Sequence, residues 1–404
     1  MKLLHVVPTY FPATRYGGPI HSVHGLCAAL VRRGHDVDVL TTNVDGPGEL
    51  DVPIGAPVLV DGVRVRYFPT GVGRRLYRSP AMKHALCAQM EQTDVIHLHS
   101  VFLWPTSMAA AMARRSGIPY LLAPRGMLVG NLIQRKNRLL KSAWIQAFER
   151  RNLAGAAAVH VTSSLERDEI VRLGLPVRRF AVVANGTDAP KPTSHGSRDT
   201  GFHLSRVPTI LALGRLSWKK GLDRLIRSLT AVPDARLVIA GNDEEAYQPR
   251  LEHLVRSMGL THRVEFHGPV AGADKWALLA AADVLALPSY SENFGNVVLE
   301  AMACGTPVLV TAEVGLAAAV RDSGAGLVVE GTPEAIAAGL TRLLDAPDVR
   351  ARMGEAGRRT VRCHYAWDAI AQRMEAEYEV ARSQTLRPNP STSTLPRRVA
   401  GAGE

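Results

Sequence analysis

Two glutamates, Glu292 and Glu300, flank a turn whose composition favours an anionic ligand. They lie in the segment PSYSENFGNVVLEAMACGTPV (residues 288–308), which follows a short apolar run. A helix is predicted to begin at Asn296, so the turn should direct free amide groups at a ligand, and the helix dipole favours an anion such as a diphosphate there. The turn residues are Asn293, Phe294, Gly295 and Asn296.

The two carboxylates indicate what else this ligand carries. Glu300 falls among apolar residues of the predicted helix, and its burial is costly unless hydroxyl or N–H groups satisfy it. Carboxylates on both sides of an anion site suit a ligand with hydroxyls at both ends and phosphates between them, as in a nucleotide-sugar. The alternative is a Glu292 favoured only by the helix dipole and a Glu300 that is simply solvated.

Cations and glycines follow two other predicted strands. The segment GRLSWKKG (residues 214–221) comes directly after a strand and carries Arg215 and Lys220, which are placed to neutralise a diphosphate leaving group. Taken alone, they could also be a pair of surface cations. In the first strand-to-helix loop, Gly17 and Gly18 permit close approach of a substrate, although glycine pairs are common in loops.

Alternating strand and helix patterns indicate the scaffold that would position these groups. Apolar strands are predicted over 3–7, 35–41, 63–68, 95–99, 120–123, 158–162, 180–183, 209–213, 236–240, 264–266, 284–287 and 308–311. Helical patterns separate most of them, which is typical of parallel, doubly wound sheets. The predicted fold class is therefore α/β, with two Rossmann-like domains facing each other across a cleft where ligands bind.

A shift in composition marks the boundary between the two halves. Residues 185–207 are rich in Pro, Gly, Ser and Thr. We predict a linker over 191–207 between an acceptor-side domain (1–190) and a nucleotide-sugar domain (208–364). Residues 385–404 have a similar low-complexity composition, which predicts a disordered tail.

The composition excludes several classes of protein. A chain of 404 residues with 46% hydrophobic and 21% charged residues is ordinary for two or three globular domains. The four cysteines form no C-x-x-C pair, which argues against a zinc site and a disulfide scaffold. The first residues do not resemble a signal peptide, and no apolar run reaches the roughly 18 residues of a membrane span. We expect a cytosolic chain.

Most of the net charge of +11 lies in one window. Residues 114–151 contain nine Arg or Lys and one acid, and 131–150 are predicted as an amphipathic helix. The segment is interpreted as the solvated face of a core helix, as an attachment to an anionic membrane or lipid-phosphate substrate, or as a nucleic-acid surface. The last is weakest, because aromatic residues make up only 5% and no nucleic-acid motif occurs.

Together these segments resemble the retaining glycosyltransferases of family 4, which have the two-domain GT-B fold. The resemblance spans nearly the whole chain, and its most specific feature is the E-x7-E pair with the EAMACGTPV run; GRLSWKKG, VIHLHS and the GG loop agree with it. In that family the first glutamate holds the transferred sugar, the second holds the ribose, and the cations and turn amides bind the diphosphate. The resemblance assigns these roles to Glu292, Glu300, Arg215, Lys220 and residues 293–296.

The resemblance also implies that a last helix (365–384) packs on the first domain. One position departs from the family. Many members have a histidine near the anomeric centre after the strand that corresponds to 120–123, whereas this chain reads APRGML, with Arg125 there. Arg125 either stabilises a donor or acceptor phosphate or braces the loop. His99, at the end of a strand, is a further candidate for the cleft, and a satisfied structural histidine is the alternative.

Two short motifs are set aside. Asp36-Val37-Asp38 has the D-x-D form of a metal site, but it falls inside a predicted strand, which cannot present both acids to a metal on a loop. Gly324-Ala325-Gly326 lacks the remainder of a dinucleotide fingerprint, so a nicotinamide dehydrogenase is not expected.

The sequence therefore predicts a retaining glycosyltransferase that moves a hexose-type sugar from a nucleotide-diphosphate sugar to a saccharide or lipid-linked acceptor. It would use no metal or other cofactor, act in surface polysaccharide or glycoconjugate assembly, bind no nucleic acid, and attach peripherally to the inner face of a membrane through 131–150. Two rivals stay open: a GT-B-shaped sugar-nucleotide epimerase or hydrolase, and a non-catalytic module that binds sugar-nucleotides or membrane surfaces.

Overall fold

The computed structural model describes residues 1–13, 17–130, 138–188 and 207–385. Within these ranges the chain forms two largely parallel sheets, each covered by helices. This is the α/β class that the sequence predicts. Most of the predicted linker (191–207) and the tail from residue 386 lie outside the described residues.

The first sheet is built from residues 2–182. Its strands are β1 (Lys2–Val6), β2 (Asp36–Thr42), β5 (Pro57–Val60), β6 (Val63–Phe68), β7 (Val95–His99), β8 (Tyr120–Ala123), β9 (Ala158–Val161) and β10 (Phe180–Val182), while β3 (Val44–Asp45) and β4 (Gly48–Glu49) form a separate hairpin. The strand order is β10-β9-β8-β7-β1-β2-β6-β5, and only β5 runs antiparallel to its neighbour. Strands β7, β8 and β9 are buried at every residue, as in parallel sheets covered on both faces.

Helices pack on both faces of this sheet. The helices of the first domain are α1 (Gly18–Arg32), α2 (Pro80–Met90), α3 (Trp104–Ser116), α4 (Arg138–Trp144), α5 (Arg150–Gly155) and α6 (Ser164–Arg172), and a π-helical turn (Ile145–Glu149) joins α4 to α5. Helix α4 has no buried residue and does not pack on the sheet. Helix α1 begins after Gly17, whose φ of 69° is in the left-handed region that favours glycine. Its buried residues Ile20, Val23 and Leu30 recur at helical spacing and face the core.

The second sheet brings two loops of interest side by side. Its strands are β11 (Thr209–Leu213), β12 (Arg236–Ala240), β13 (Val264–Gly268), β14 (Val284–Leu287), β15 (Val308–Thr311) and β16 (Gly326–Val329), in the order β13-β12-β11-β14-β15-β16. Because β11 lies between β12 and β14, the strand order reverses there. The loops that follow β11 and β14 therefore open a crevice, which is where ligands of doubly wound sheets bind.

Helices also cover this second sheet. They are α7 (Leu222–Ser228), α8 (Gln248–Ser257), α9 (Gly272–Ala281), α10 (Asn296–Cys304), α11 (Ala317–Ser323), α12 (Pro333–Leu344) and α13 (Pro347–Thr360). The buried apolar residues of α10 include Val298, Leu299 and Met302. They pack into the core beneath β14 and β15, which fixes the position of the loop before α10.

The last helix, α14 (Trp367–Thr385), returns to the first domain and packs along α1. A Cβ atom on Gly25 or Gly186 would lie 2.3 or 2.6 Å from the Trp367 ring, so these two positions require glycine for the indole to fit. Farther along the helix, Tyr378 is fully buried and its hydroxyl lies 2.8 Å from Nδ1 of His97. This is the position that the family resemblance implies.

Most predicted elements agree with the structure to within two residues. The prediction missed β3, β4, β5 and β16, and it gave no bounds for α2, α3, α6, α11, α12 and α13. Strand β5 alternates between exposed and half-buried residues at the sheet edge, and β16 is half-buried throughout. Both are short apolar runs at a sheet edge, where a strand has a neighbour on one side only and is buried less than the central strands.

Two predictions about charged segments can be compared with the structure. Asp36 and Asp38 lie on β2, as predicted, and both pair with Arg64, whose Nη2 is 2.7 Å from Asp38 Oδ2.

The predicted helix 131–150 lies in part outside the described residues, and its helical conformation continues to residue 155. Leu139 and Leu140 of α4 are 85% and 66% exposed, so this part of the segment lacks the buried apolar face that the core-helix interpretation requires.

Among the described residues, no helix combines the length and the apolar character needed to cross a bilayer.

Candidate active site

Lys220 and Glu292 meet at the point where the strand order of the second sheet reverses. Lys220 follows β11 and Glu292 follows β14, and Lys220 Nζ lies 2.6 Å from Glu292 Oε2. Both side chains are 20% exposed, so the ion pair is largely shielded yet reachable from the crevice. Backbone bonds fix the Glu292 loop, since Glu292 N donates to Glu313 O and Gly315 N donates to Glu292 O.

Glu300 lies in the middle of α10, the helix that follows the Glu292 loop. Its Oε1 accepts a hydrogen bond from Lys275 Nζ of α9 at 2.9 Å. This cation supplies the partner that the sequence argument requires for a carboxylate among apolar residues. The Glu300 side chain remains 20% exposed, so the pair borders solvent instead of being sealed in the core.

The turn between the two glutamates starts α10 and packs closely on its surroundings. Gly295 has a φ of 95° at the N-cap, a conformation that favours glycine. Asn296 is the first helical residue, and amides in the first turn of a helix have no intrahelical acceptor. Phe294 is buried in the core of the second domain, so this residue offers the site its backbone and not its ring.

Arg215 extends from the loop after β11 toward solvent. Its guanidinium is 59% exposed, and its contact with Glu244 is loose, with 3.8 Å between Nη1 and Oε2. The neighbouring Lys219 is half-buried; burial lowers the pKa of its amine, and the charge of Arg215 lowers it further. The loop thus brings three cations to the edge of the crevice, of which Arg215 is the most exposed.

The first domain contacts the turn of the second domain directly. Asn293 Nδ2 donates to Thr162 Oγ1 at 3.0 Å, and Ser163 Oγ donates to Asn293 O at 2.9 Å. Asn185 Nδ2 donates to Asn296 Oδ1 at 3.0 Å. These hydrogen bonds align the turn with the carboxyl end of β9, so both domains border the same site.

The early glycines lie on the other side of this contact. Gly17 has nothing within 4 Å of its would-be Cβ, whereas a Cβ on Gly18 would lie 3.0 Å from Asn296 Nδ2. Asn296 Nδ2 also lies 3.4 Å from Gly18 O. Gly18 therefore permits the approach of the two domains, and Gly17 leaves open space at the predicted donor position.

Arg125 is held by two hydrogen bonds within its own half of the cleft. Nη1 donates to Asn185 Oδ1 at 3.0 Å and Nη2 donates to His99 Nδ1 at 3.2 Å. Its φ of 55° is unusual for a non-glycine residue. Since Asn185 in turn binds Asn296, Arg125 supports the residues that join the two domains, which favours bracing among the roles expected for it.

His99 does not face the cleft, which corrects its candidacy as a catalytic residue. Its side chain is 1% exposed, and Nε2 lies 3.0 Å from His5 Nδ1 while Nδ1 accepts from Arg125. Burial lowers the pKa of the His99 imidazole well below its usual value, and the Arg125 cation lowers it further. A neutral imidazole that uses both nitrogens within the protein acts through Arg125 and not on a substrate.

Three histidines form the group of possible metal ligands that the described residues contain. The candidate atoms of His5, His97 and His99 lie within 4.8 Å of one another. Both nitrogens of His97 and of His99 are already engaged in hydrogen bonds. The cluster is therefore a hydrogen-bonded network in which these rings have no nitrogen left for a metal.

The sequence argument missed several residues that the structure brings to the site. Lys275 pairs with Glu300, and Asn185, Thr162 and Ser163 hold the turn. A signal existed for Lys275, because it is a cation in the otherwise largely apolar sequence of α9. The other three lie at the carboxyl ends of predicted strands, where polar residues are candidates for a ligand edge.

Comparison with known proteins agrees with this architecture. The family model described as glycosyl transferases group 1 matches residues 199–360, and the model of a glycosyl transferase 4-like domain matches residues 17–186. The second of these covers the first sheet except β1, and the first covers the second sheet. D-inositol 3-phosphate glycosyltransferase of Kineococcus radiotolerans is 30% identical over 94% of this chain and 93% of its own length. An uncharacterized glycosyltransferase of Methanocaldococcus jannaschii is 29% identical over 94% of this chain and 98% of its own.

Solved structures share the fold over almost the whole chain. Sucrose-phosphate synthase from Thermosynechococcus elongatus superimposes with a TM-score of 0.77 at 23% identity, covering 94% of this chain and 98% of that one. Anabaena HepE in complex with UDP-glucose gives 0.70 at 20% identity, covering 96% and 100%. With both family models matched and a full-length relative at 30% identity, this chain belongs to the group 1 glycosyltransferases of the family 4 type and has the GT-B fold.

Proposed function

We propose that this glycosyltransferase moves a hexose-type sugar from a nucleotide-diphosphate sugar to a saccharide or lipid-linked acceptor, with retention of the anomeric configuration. The observation that carries the proposal is the pairing of Lys220 with Glu292 at the reversal of the sheet, next to the first turn of α10. A cation, a carboxylate and free helix amides converge there within one crevice. The relative from Kineococcus radiotolerans bears the name of an inositol-phosphate glycosyltransferase, and Anabaena HepE was solved with UDP-glucose.

Each group has a task in donor binding. The hydroxyls of the transferred sugar would bind Glu292, and the ribose hydroxyls would bind Glu300, the two carboxylates being acceptor-only groups when ionised. Between them, the amides of residues 293–296 face the diphosphate, which the helix dipole favours. Gly17 borders the same space from the first domain. Lys275 orients Glu300 before the donor arrives.

The leaving diphosphate needs positive charge as the glycosidic bond breaks. Lys220 and Arg215 supply it from the loop after β11, and stabilisation of developing charge by preorganised groups is a large contribution to catalysis. In the proposed mechanism these cations take the part that a metal ion would otherwise play. Arg215 is exposed and loosely paired, so it can turn toward the diphosphate.

The acceptor attacks from the side of the leaving group. Glu292 is already paired with Lys220, an arrangement that suits holding hydroxyls more than forming a covalent sugar ester. The acceptor hydroxyl therefore attacks on the face that the diphosphate leaves, and a departing phosphate oxygen takes its proton. Retention is tested by nuclear magnetic resonance of the product, in which the new linkage should have the anomeric configuration of the donor. An inverted linkage would contradict this step.

A membrane surface is the proposed location of a lipid-linked acceptor. Helix α4 exposes Leu139 and Leu140 beside Arg138 and Lys141, and Phe148 in the following turn is 45% exposed. Apolar side chains flanked by cations are typical of helices that lie on anionic bilayers. Assembly of surface polysaccharide or another glycoconjugate at the inner face of a membrane would fit this arrangement.

The membrane proposal is tested by co-sedimentation with vesicles that contain anionic lipid. Binding should weaken as salt rises and should fall when Leu139 and Leu140 are both changed to Ser. Val72→Ala, at an apolar residue exposed to 90% elsewhere on the first domain, is the control. Binding that ignores salt, or that survives the double change, would contradict the proposal.

The donor site is tested by thermal unfolding with UDP, GDP, ADP and dTDP. One nucleotide should stabilise the protein, because a ligand that binds only the folded state raises its stability by mass action. Glu300→Gln should remove most of that stabilisation, whereas Glu334→Gln, at an exposed residue in the first turn of α12, should not. Stabilisation that is unchanged in Glu300→Gln would refute the assigned ribose contact.

A further inference from the structure

A pocket lies on the second domain next to the loop that carries Lys220. Its volume is about 410 Å³, and it is lined by Trp218, Asp223, Tyr247, Arg250 and Tyr290. The three aromatic residues come from separate segments: Trp218 follows β11, Tyr247 directly precedes α8, and Tyr290 follows β14. Aromatic walls with a few charged groups are typical of small-ligand sites.

Asp223 offers this pocket an acceptor that the protein does not use fully. Its Oδ2 accepts a hydrogen bond from the Tyr290 hydroxyl at 3.1 Å, whereas its Oδ1 is shielded from solvent and has no hydrogen-bond partner among the described residues. A carboxylate accepts up to about four hydrogen bonds, so Asp223, which lines the pocket, has acceptor capacity beyond its bond to Tyr290. A ligand hydroxyl would donate to the lone pairs of Oδ2 that Tyr290 leaves unused.

Tyr290 presents one open face to the pocket. The guanidinium of Arg224 covers the other face, with 3.6 Å between its central carbon and the ring centroid. The Trp218 ring lies 6.4 Å from that of Tyr290 and is tilted by 34°. The two rings therefore form an angled surface. They are not parallel, so they do not form a slot in which a planar nucleobase would stack between them.

We propose that this pocket is a carbohydrate subsite that binds one pyranose unit of a saccharide, separate from the donor-binding crevice. The C–H face of a pyranose is weakly positive and packs on the negative face of an aromatic ring, here Tyr290. The ring hydroxyls would donate to Asp223 and accept from Arg250. A neutral, hydroxyl-rich ligand suits a pocket that contains both a carboxylate and a guanidinium.

The subsite shares the loops after β11 and β14 with the donor crevice, but it uses Trp218 and Tyr290 in place of Lys220 and Glu292. Tyr290 N donates to Lys219 O at 2.7 Å, which joins the segments of Lys220 and Glu292 behind the angled surface of the two rings. A saccharide chain bound there would be held close to the reaction. The proposal does not rest on the proposed function, because binding in this pocket requires neither Lys220 nor Glu292.

The test uses the full-length protein on an array of oligosaccharides of glucose, mannose, galactose, rhamnose and N-acetylglucosamine, followed by calorimetric titration with the free sugar that binds best. Tyr290→Ala and Asp223→Asn should each weaken binding about tenfold or more. Tyr247→Ala, on a separate segment, should act in the same direction. Tyr290→Phe keeps the ring and should retain most of the affinity.

Two controls separate this pocket from the donor crevice. Glu292→Gln, in the crevice, and Asp322→Asn, at an exposed aspartate of α11, should leave saccharide binding unchanged. Absence of binding to every oligosaccharide at millimolar concentrations would overturn the proposal. So would binding that Glu292→Gln abolishes while the pocket variants retain it, because the crevice would then account for the binding. Each variant is checked by circular dichroism, and Tyr290→Phe and Tyr247→Ala keep the test valid should Tyr290→Ala unfold.

Discussion

Mild acid should destabilise the first domain strongly, because four neutral histidines are buried in it. His5, His97, His99 and His160 are 0–2% exposed and lie on strands β1, β7 and β9 of the first sheet. Burial lowers the pKa of His5 to about 3, and the Arg125 cation contributes. The same two causes lower the pKa of His160 to about 3. Burial also lowers the pKa of His97 and His99 well below its usual range.

The hydrogen bonds explain why these rings resist protonation. His160 Nε2 donates to Val183 O at 2.9 Å, so its Nδ1 accepts from His97 Nε2 at 3.2 Å. Nδ1 of His97 then accepts from the Tyr378 hydroxyl at 2.8 Å. Arg125 donates to Nδ1 of His99, whose Nε2 therefore donates to His5 Nδ1. Each ring uses one nitrogen as an acceptor, and an added proton would turn that contact into a repulsion.

The size of the effect follows from proton linkage. The unfolded chain binds protons at these histidines below about pH 6.5, whereas in the folded protein His5 and His160 bind them only near pH 3, and the pKa values of His97 and His99 are also far below their usual range. The stability that the neutral rings contribute is therefore present above pH 6.5 and is lost as the pH falls below it. From pH 7.0 to 5.5, each histidine costs about 1.2 kcal/mol and four cost about 5 kcal/mol. In a domain of this size that lowers the unfolding midpoint by about 10 to 20 °C. Burial raises the pKa of Glu149, which acts in the opposite sense but involves one group.

Calorimetry at pH 7.0 and 5.5 measures the shift, and hydrogen exchange of strands β7 and β9 assigns it to the first domain. His160→Gln should reduce the difference in stability between the two pH values by about a quarter. His84→Gln, at an exposed position of α2, is the matched control. If the midpoint moves by less than about 3 °C between the two pH values, the histidines are not held neutral by burial and the reasoning fails.

Three substitutions test the site and the packing around it. Lys220→Met should lower kcat at least about 100-fold, since it removes charge stabilisation at the leaving diphosphate; release of nucleoside diphosphate measures it. Arg125→Lys keeps the charge but cannot bridge Asn185 and His99, so urea unfolding should show a loss of about 1–3 kcal/mol. Trp367→Ala should cost about 3–5 kcal/mol in the same assay, because it empties the space between Gly25 and Gly186.

Each substitution has a control of the same residue type or on the same helix. Lys83→Met on α2 and Arg115→Lys on α3 change exposed side chains and should have little effect. Val380→Ala lies on the same helix as Trp367 but is 41% exposed, so it should cost far less. Turnover by Lys220→Met equal to that of Lys83→Met would exclude the proposed role of Lys220.

The positions of Glu292 and Lys220 could be predicted because each residue directly follows an apolar strand. Residues that follow parallel strands gather at the edge formed by the carboxyl ends of those strands. The sequence therefore predicts that Glu292 and Lys220 lie at the same edge of the sheet. Their direct contact could not be predicted, because it depends on β11 and β14 being neighbours across a reversal of the strand order. Sequence periodicity carries no information on that order.

Long-range partners explain most of what the sequence did not reveal. Glu300 was expected to need a donor, but Lys275 comes from a different helix whose approach depends on core packing. His99 was misplaced for the same reason, since its partners His5 and Arg125 lie far away in sequence. A usable signal was nevertheless present: His97 and His99 alternate within a strand that was predicted to be apolar and buried, which favours a satisfied internal network.

The measurement that tests the central claim most directly is nucleoside diphosphate release from UDP-, GDP-, ADP- and dTDP-sugars, with and without saccharide acceptors. The account predicts that one donor is consumed, that an acceptor accelerates its consumption, and that a glycosylated product forms in equal amount. Lys220→Met should abolish this activity while Lys83→Met preserves it. Donor conversion that needs no acceptor, or that persists in Lys220→Met, would contradict transfer at this site and favour an epimerase or hydrolase.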